Sequence, residues 1–184
     1  MRSPDNKILF AGPVGAGKTT AIAAISDIAQ IRTDAKASDM TLHRKDHTTV
    51  ALDYGMLRLD ADTKVHLYGT PGQERFDFMW DIVSRGSIGL ILLLDHSRAN
   101  PLQDLNFFLR AFEPLLRRAP LALALGVSKT DLAPLSATAV YAEALAARGL
   151  NAPVFEVDCR SREDIKQLLL ALLYSIDPGL GEPQ

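Results

Sequence analysis

Cysteine is nearly absent from this 184-residue chain: Cys159 stands alone, so no internal disulfide can form and a reducing cytoplasm is the expected setting. An excess of one charge is missing as well. The 20 Lys and Arg against 22 Asp and Glu give a formal net charge of −2, which supplies no electrostatic footprint for nucleic acid or an anionic membrane. The one short basic cluster, "HRK" at 43–45, is too small to change that. Long apolar runs are lacking: "IGLILLL" at 88–94 falls far short of the roughly 20 residues that span a bilayer, so no integral membrane segment is expected. The opening "MRSPDNKILF" passes from polar residues into a strand pattern without the apolar stretch of a signal peptide. Arg2 stands where myristoylation needs glycine, and the closing "PGLGEPQ" offers no cysteine for prenylation. No Pro/Gly/Ser-rich linker and no internal repeat divide the chain. One domain over 1–184 is expected, with an ordered core from about 7 to 175 and a short flexible C-terminal tail.

What is present is an alternation of short β-rich runs with longer helical patterns. "KILFA" (7–11) reads as a strand, followed by a glycine-rich turn and a helix from about Gly17 to Gln30. Residues 31–47 keep neither period and read as an irregular loop, a length more often functional than not. "TTVALDYGMLRL" (48–59) and "KVHLYG" (64–69) form a hairpin of strands across "DADT", and a short helix covers 75–84. "SIGLILLLD" (87–95) is apolar throughout, as in a strand buried on both faces of a parallel sheet. A helix beginning at Pro101, a strand at 121–127, a helix at 136–148, a strand at 152–158 and a helix at 162–176 complete the pattern. The expectation is an α/β fold: a mostly parallel six-stranded sheet with one antiparallel strand, and about five helices on its two faces.

The strongest motif is "GPVGAGKT", Gly12-x4-Gly17-Lys18-Thr19, between a strand and a helix as a phosphate-binding P-loop requires. Its glycines allow backbone N–H groups from Gly12 through Val14, Gly15, Ala16 and Gly17 to Thr20 to curl around phosphates, and the helix N-terminus adds partial positive charge. Lys18 is placed to reach the β- and γ-phosphates, and the Thr19 hydroxyl suits Mg²⁺. A chance glycine turn is the bland alternative, but strand, loop and helix all agree with the motif.

The P-loop leaves kinases, ATPases and GTPases open. "VSKTD" (127–131), directly after a buried strand, resembles the Asn-Lys-x-Asp element of small GTPases. By that likeness Asp131 accepts two hydrogen bonds from guanine, whose donor pair adenine lacks. Lys129 lays its stem along the base, and Ser128 replaces the asparagine that ties this loop to the P-loop. Asp131 as a simple turn cap is the alternative. "VDCRSRED" (157–164) falls at the next base loop, with Cys159 and Arg160 flanking the base. Cys159 reads equally as an inert strand-end residue, and Ser161 as a helix N-cap with Asp164 three residues on.

"GPVGAGKTT", "TTVALDYG" and "YGTPGQERF" together resemble the bacterial Ras-like GTPases related to the gliding-motility protein MglA and to the GTPases of actinobacterial conservon operons. The likeness runs from about Ile8 to Leu173. It implies a Ras-like G domain, a switch between GDP and GTP, and a small Roadblock-type protein partner. It also places Gly72 at the γ-phosphate, Gln73 as the side chain orienting the attacking water, and Thr49 as the switch threonine on Mg²⁺, with Thr48 its rival. Small GTPases carry an aspartate three residues before that glycine, and this chain has Gly69 there. Asp53 on the neighbouring strand is the candidate replacement at the metal; an acid facing solvent on an edge strand is the alternative. Val14 occupies a position that is glycine in many relatives and would crowd Gln73, so slow intrinsic hydrolysis is expected. Arg44 could supply a catalytic arginine, although a solvated loop charge is the simpler reading. Trp80, with Phe76 and Phe78, is expected to be an exception to the buried core, as large aromatics on a switch helix often are. The rivals are a P-loop kinase or ATPase, which should carry an Arg-rich lid not found here, and a degenerate nucleotide-binding scaffold.

Overall fold

The computed structural model describes residues 6–29, 31–35, 50–60, 63–72, 77–117, 122–132 and 138–177. In chain order the elements are β1 (Asn6–Ala11), α1 (Lys18–Ile25), β2 (Ile31–Ala35), β3 (Val50–Arg58), β4 (Lys64–Gly69), α2 (Asp77–Ser84) and β5 (Ser87–Asp95). Then follow α3 (Pro101–Ala111), α4 (Glu113–Leu116), β6 (Ala122–Ser128), a 3₁₀ turn at Thr130–Leu132, α5 (Thr138–Ala146), β7 (Val154–Val157) and α6 (Arg162–Ile176). The strands form one sheet in the order β2-β3-β4-β1-β5-β6-β7, in which β3 alone runs against the rest.

Alternation along the central strands explains the two-layered core. Ile8 and Phe10 of β1 with Ile91 and Leu93 of β5 face α1 and α6, meeting Ile22, Ile25, Leu168 and Leu172. Leu9, Leu90 and Leu92 face the other way, against Trp80, Leu105, Phe108 and Tyr141 from α2, α3 and α5. A strand covered on both faces needs apolar side chains at every position, and this is why 87–95 carries no polar alternation.

The fold class is as the sequence predicts, and the sheet is one strand wider. Residues 31–35, read as loop, form β2, paired with β3 from Ile31↔Tyr54 to Ala35↔Val50. "IRTDA" lacks a strand pattern because an edge strand takes its order from its neighbour's backbone. The helix beginning at Pro101 stops at Ala111, and α4 restarts after Phe112. Pro114 has no N–H to give the carbonyl of Arg110, so the helical ladder cannot continue through it. Helix α1 ends at Ile25, well before Gln30. Arg162 donates to the terminal carbonyls of Ala24 (3.2 Å) and Ile25 (3.0 Å) and pairs with Asp27 at 2.8 Å.

Trp80 corrects the expectation of an exposed switch aromatic. It is 2% exposed, stacks on Phe112 with ring centroids 5.3 Å apart, packs on Phe108, and donates its indole N–H to the Pro71 carbonyl at 3.1 Å. The ring is core, and its N–H ties α2 to the loop leaving β4. Trp80→Ala is expected to cost about 3–5 kcal/mol, read as a lowered urea midpoint by circular dichroism. A loss below about 1 kcal/mol would place the ring outside the packed interior.

Candidate functional site

The strand order reverses at β1, whose neighbours β4 and β5 lead to opposite halves of the sheet. Ligands of open α/β sheets bind in the crevice at the carboxyl ends of the strands, at such a switch point. Here that crevice is built by the loops after β1, β4, β6 and β7.

The loop after β1 turns through Gly12, Gly15 and Gly17, with φ of 136°, 84° and 99°. Gly12 is forced on two counts: its φ is left-handed, and a Cβ there would lie 2.0 Å from the Leu93 carbonyl oxygen. Val14 at the loop tip is 56% exposed, whereas Ala16 is buried. Lys18, 8% exposed, donates to the carbonyls of Gly12 (2.7 Å) and Pro13 (2.8 Å), which aims its ammonium into the curl of the loop. Burial pulls its pKa down to about 8, opposed in part by Asp53.

Asp53 is where the sequence hoped to find a replacement carboxylate. Strands β3 and β4 pair it directly with Gly69, and Thr19 Oγ1 donates to its Oδ2 at 2.5 Å. A Cβ on Gly69 would meet Asp53 Cβ at 3.0 Å and Oδ2 at 3.3 Å. The Asp53 side chain thus lies against the space that an aspartate at 69 would use, half-buried and bonded to Thr19 on a strand flanked by β2 and β4. A hydroxyl and a carboxylate are hard oxygen donors of the kind Mg²⁺ takes, so this end of the site fits the cation. Among the described residues no cluster of three or more His, Cys, Asp and Glu could hold a metal on its own. Gly72 closes this end: a Cβ on it would come within 2.6 Å of Val14 N and 2.8 Å of Lys18 Nζ.

At the other end a cavity of about 660 Å³ runs from Gly15, Ala16, Gly17 and Thr20 to Ser128–Leu132 and Glu156–Arg160, within the range of small-molecule sites. Ser128 is 3% exposed, and its hydroxyl lies 3.0 Å from the Ala16 carbonyl and 3.1 Å from that of Leu94. A serine thus makes the tie between base loop and P-loop that the sequence assigns to this position. Lys129 follows with φ 58°, and its ammonium pairs with Asp95 at 2.6 Å. Burial pushes the Asp95 carboxyl up, but hydrogen bonds from Lys129 and Ser97 outweigh it and leave it below the usual range. Asp131 stands exposed on the 3₁₀ turn, facing the same cavity.

Cys159 is 7% exposed, 3.5 Å from the Ala16 carbonyl, and burial pushes its pKa up to about 11, with Asp158 adding to the rise. It is a protonated, packed thiol that walls the cavity, not a nucleophile. Arg160 lines the cavity, yet its guanidinium is taken by Asp158, with Nη2–Oδ2 at 2.8 Å, instead of flanking a base. Ser161 caps α6 as expected, accepting from the Asp164 N–H at 3.2 Å.

The site thus gathers Gly12, Lys18, Thr19, Asp53 and Gly72 at one end and Ser128, Lys129, Asp131 and Cys159 at the other, joined through Gly15–Gly17. Thr48, Thr49 and Gln73 lie outside the described residues, as do Arg44 and Phe76. Asp95 is the residue the sequence reading missed. Its signal was an acid closing an otherwise apolar strand, which demands a partner once the strand is buried.

Two relatives bear on this arrangement. An uncharacterized protein of Methanocaldococcus jannaschii, MJ1339, is 28% identical over 142 residues, covering 77% of this chain and 80% of its own. The Ras-related protein SEC4 of Saccharomyces cerevisiae is 25% identical over 128 residues, covering 68% of this chain and 59% of its own. No helix among the described residues is long and apolar enough to cross a membrane. The family described as "Conserved hypothetical ATP binding protein" matches residues 29–147, from just beyond α1 through α5. Fold, glycine loop and relatives agree on a nucleotide-binding P-loop protein with a small GTPase-like fold, and the chain belongs to that family of conserved hypothetical ATP binding proteins.

Proposed function

We propose that this protein is a guanine-nucleotide switch that hydrolyses GTP slowly. The observation that carries the reading is a cavity in which Gly15, Ala16 and Gly17 of the P-loop face Ser128, Lys129 and Asp131. The family's description names ATP, but the exposed Asp131 carboxylate suits a base that offers two adjacent donors. Guanine does so through its ring N–H and amino group; against adenine the carboxylate would be left without donors.

Backbone N–H groups of residues 13–20 and the Lys18 ammonium bind the phosphates. Thr19 and Asp53 hold Mg²⁺, with Thr49 joining them in the GTP state. Bound there, the cation would supply positive charge that neutralises the charge developing on the phosphates. Gln73 orients a water whose oxygen attacks the γ-phosphorus as its bond to the β–γ bridging oxygen breaks; GDP and phosphate leave. Val14 stands where many Ras-like relatives carry glycine, and a bulky side chain there slows that step, so a partner governs turnover. Gain and loss of γ-phosphate contacts at Thr49 and Gly72 move the loops that contain them. We read the chain as one G domain over 1–184, kin to the MglA and conservon GTPases, with a Roadblock-type partner. The buried free thiol of Cys159 suits a cytoplasmic setting.

Titration of the purified protein with fluorescent GDP, GTP and ATP, with and without Mg²⁺, tests the reading. The expected result is guanine preference by about 100-fold or more, since the two Asp131 hydrogen bonds are charge-assisted. Preference for ATP removes the guanine assignment. In the same assay Gln73→Leu should bind normally and release no phosphate; undiminished release would take the water from Gln73.

A further inference from the structure

We infer that Asp95 is the positioning residue of the base pocket: it anchors the Lys129 ammonium so that the lysine stem forms the wall on which the base lies. The inference rests on the nucleotide reading above, though not on which base is bound.

Asp95 ends β5, is 5% exposed, and lies in register with Ser128. Its Oδ1 accepts from the Ser97 N–H (3.0 Å) and hydroxyl (2.5 Å), which leaves Oδ2 aimed at Lys129 Nζ, 2.6 Å away. The carboxylate is thus fixed before it receives the lysine. Lys129 is fixed at both ends. Its φ of 58° is the one positive value among the described non-glycine residues, a conformation that a side chain with a Cβ adopts only under constraint. The neighbouring strand reinforces the turn, because the His96 N–H donates to the Ser128 carbonyl at 3.0 Å. A free lysine samples many rotamers, and ordering it on binding would cost affinity. Held by its ammonium, the four-carbon stem is already laid along the cavity. No other described carboxylate is ion-paired with Lys129. The pair spans 34 residues of sequence.

The test is a double-mutant cycle on nucleotide affinity. Wild type, Asp95→Asn, Lys129→Met and the double variant are titrated with fluorescent GDP and ADP side by side, and the melting temperature of each nucleotide-free protein is recorded. D95N keeps the shape and can still accept from Ser97, but loses the charge. It should bind the preferred nucleotide about tenfold more weakly, or about 1.4 kcal/mol. If Asp95 acts through Lys129, the double variant binds no worse than K129M, a non-additivity that a purely structural role would not produce. Wild-type affinity in D95N, or losses that add in the double variant, overturns the inference. A wild type that prefers ADP ends the guanine reading alone, since the cycle is still read with ADP. Should D95N not fold, a crystal structure of the wild type with nucleotide decides: Lys129 kept on Asp95 with its stem against the base supports the assignment, and Lys129 turned away from Asp95 overturns it.

Discussion

Lys18→Ala is expected to weaken nucleotide binding by about two to four decades, because it deletes charge-assisted hydrogen bonds to two phosphates at about 1.5–3 kcal/mol each. The side chain has no other task on the scale of that loss. It is 8% exposed, and it reaches the inside of the loop by way of the Gly12 and Pro13 carbonyls. Removing it leaves those carbonyls one donor short while relieving a buried charge, so the nucleotide-free protein should lose little stability. Acidity adds a second readout. Burial holds the Lys18 pKa at about 8, against 10.5 for the unfolded chain. Between those values the unfolded state binds more protons than the folded one, so this group makes stability rise with pH from about 8 to 10.5 and penalises the fold below that. Phosphates favour the charged form, so nucleotide binding above pH 8 should take up a proton and weaken as pH climbs. Calorimetry in buffers of different ionisation enthalpy measures the uptake, and K18A should lose both the uptake and the pH slope. Affinity within tenfold of wild type in K18A would place the phosphates elsewhere.

What was legible in the sequence was chemistry confined to a few neighbouring residues. The P-loop spacing from Gly12 to Thr19, the apolar run of β5 and the Ser161–Asp164 cap at α6 are each written in one short window, and each appears where expected. What escaped depends on neighbours far along the chain. Strand β2 owes its order to β3, so "IRTDA" looked like loop. Trp80 looked like a surface aromatic because its partners come from far along the chain, Phe108 from α3 and Phe112 from the turn between α3 and α4. Asp95 and Lys129 meet across two adjacent strand ends, a contact no window contains. Asp53 fell between the two cases. An acid in an apolar strand announced a partner, yet only the β3–β4 register could say that the partner was Thr19 and the opposing residue Gly69.

That register makes a carboxylate swap the sharpest test of the metal end. Asp53→Ala should lose most of the tightening that Mg²⁺ brings to nucleotide binding, about 10–100-fold by the measure of ligand and outer-shell losses at other metal sites. Gly69→Asp by itself should not help. Its Cβ would press on Asp53 Cβ and on Ile22 Cδ1, both at 3.0 Å, and two carboxylates in one space cannot both stay ionised cheaply. Combining the two changes removes the rival carboxylate and puts one back, now rooted in β4 instead of β3. The Cβ at position 53 and Ile22 Cδ1 stay 3.0 Å from the new Cβ and must give by a few tenths of an ångström. Because the strands are antiparallel and 53 sits directly opposite 69, the new side chain starts from the same patch of sheet and points towards Thr19. D53A/G69D should therefore regain Mg²⁺ dependence that D53A lacks, although G69D alone adds none, a coupling that independent sites would not show. Nucleotide affinity measured across a Mg²⁺ series in the four proteins reads it directly. If D53A titrates with Mg²⁺ as the wild type does, the cation is held without this carboxylate, and the pairing of Asp53 with Thr19 only orders the start of α1.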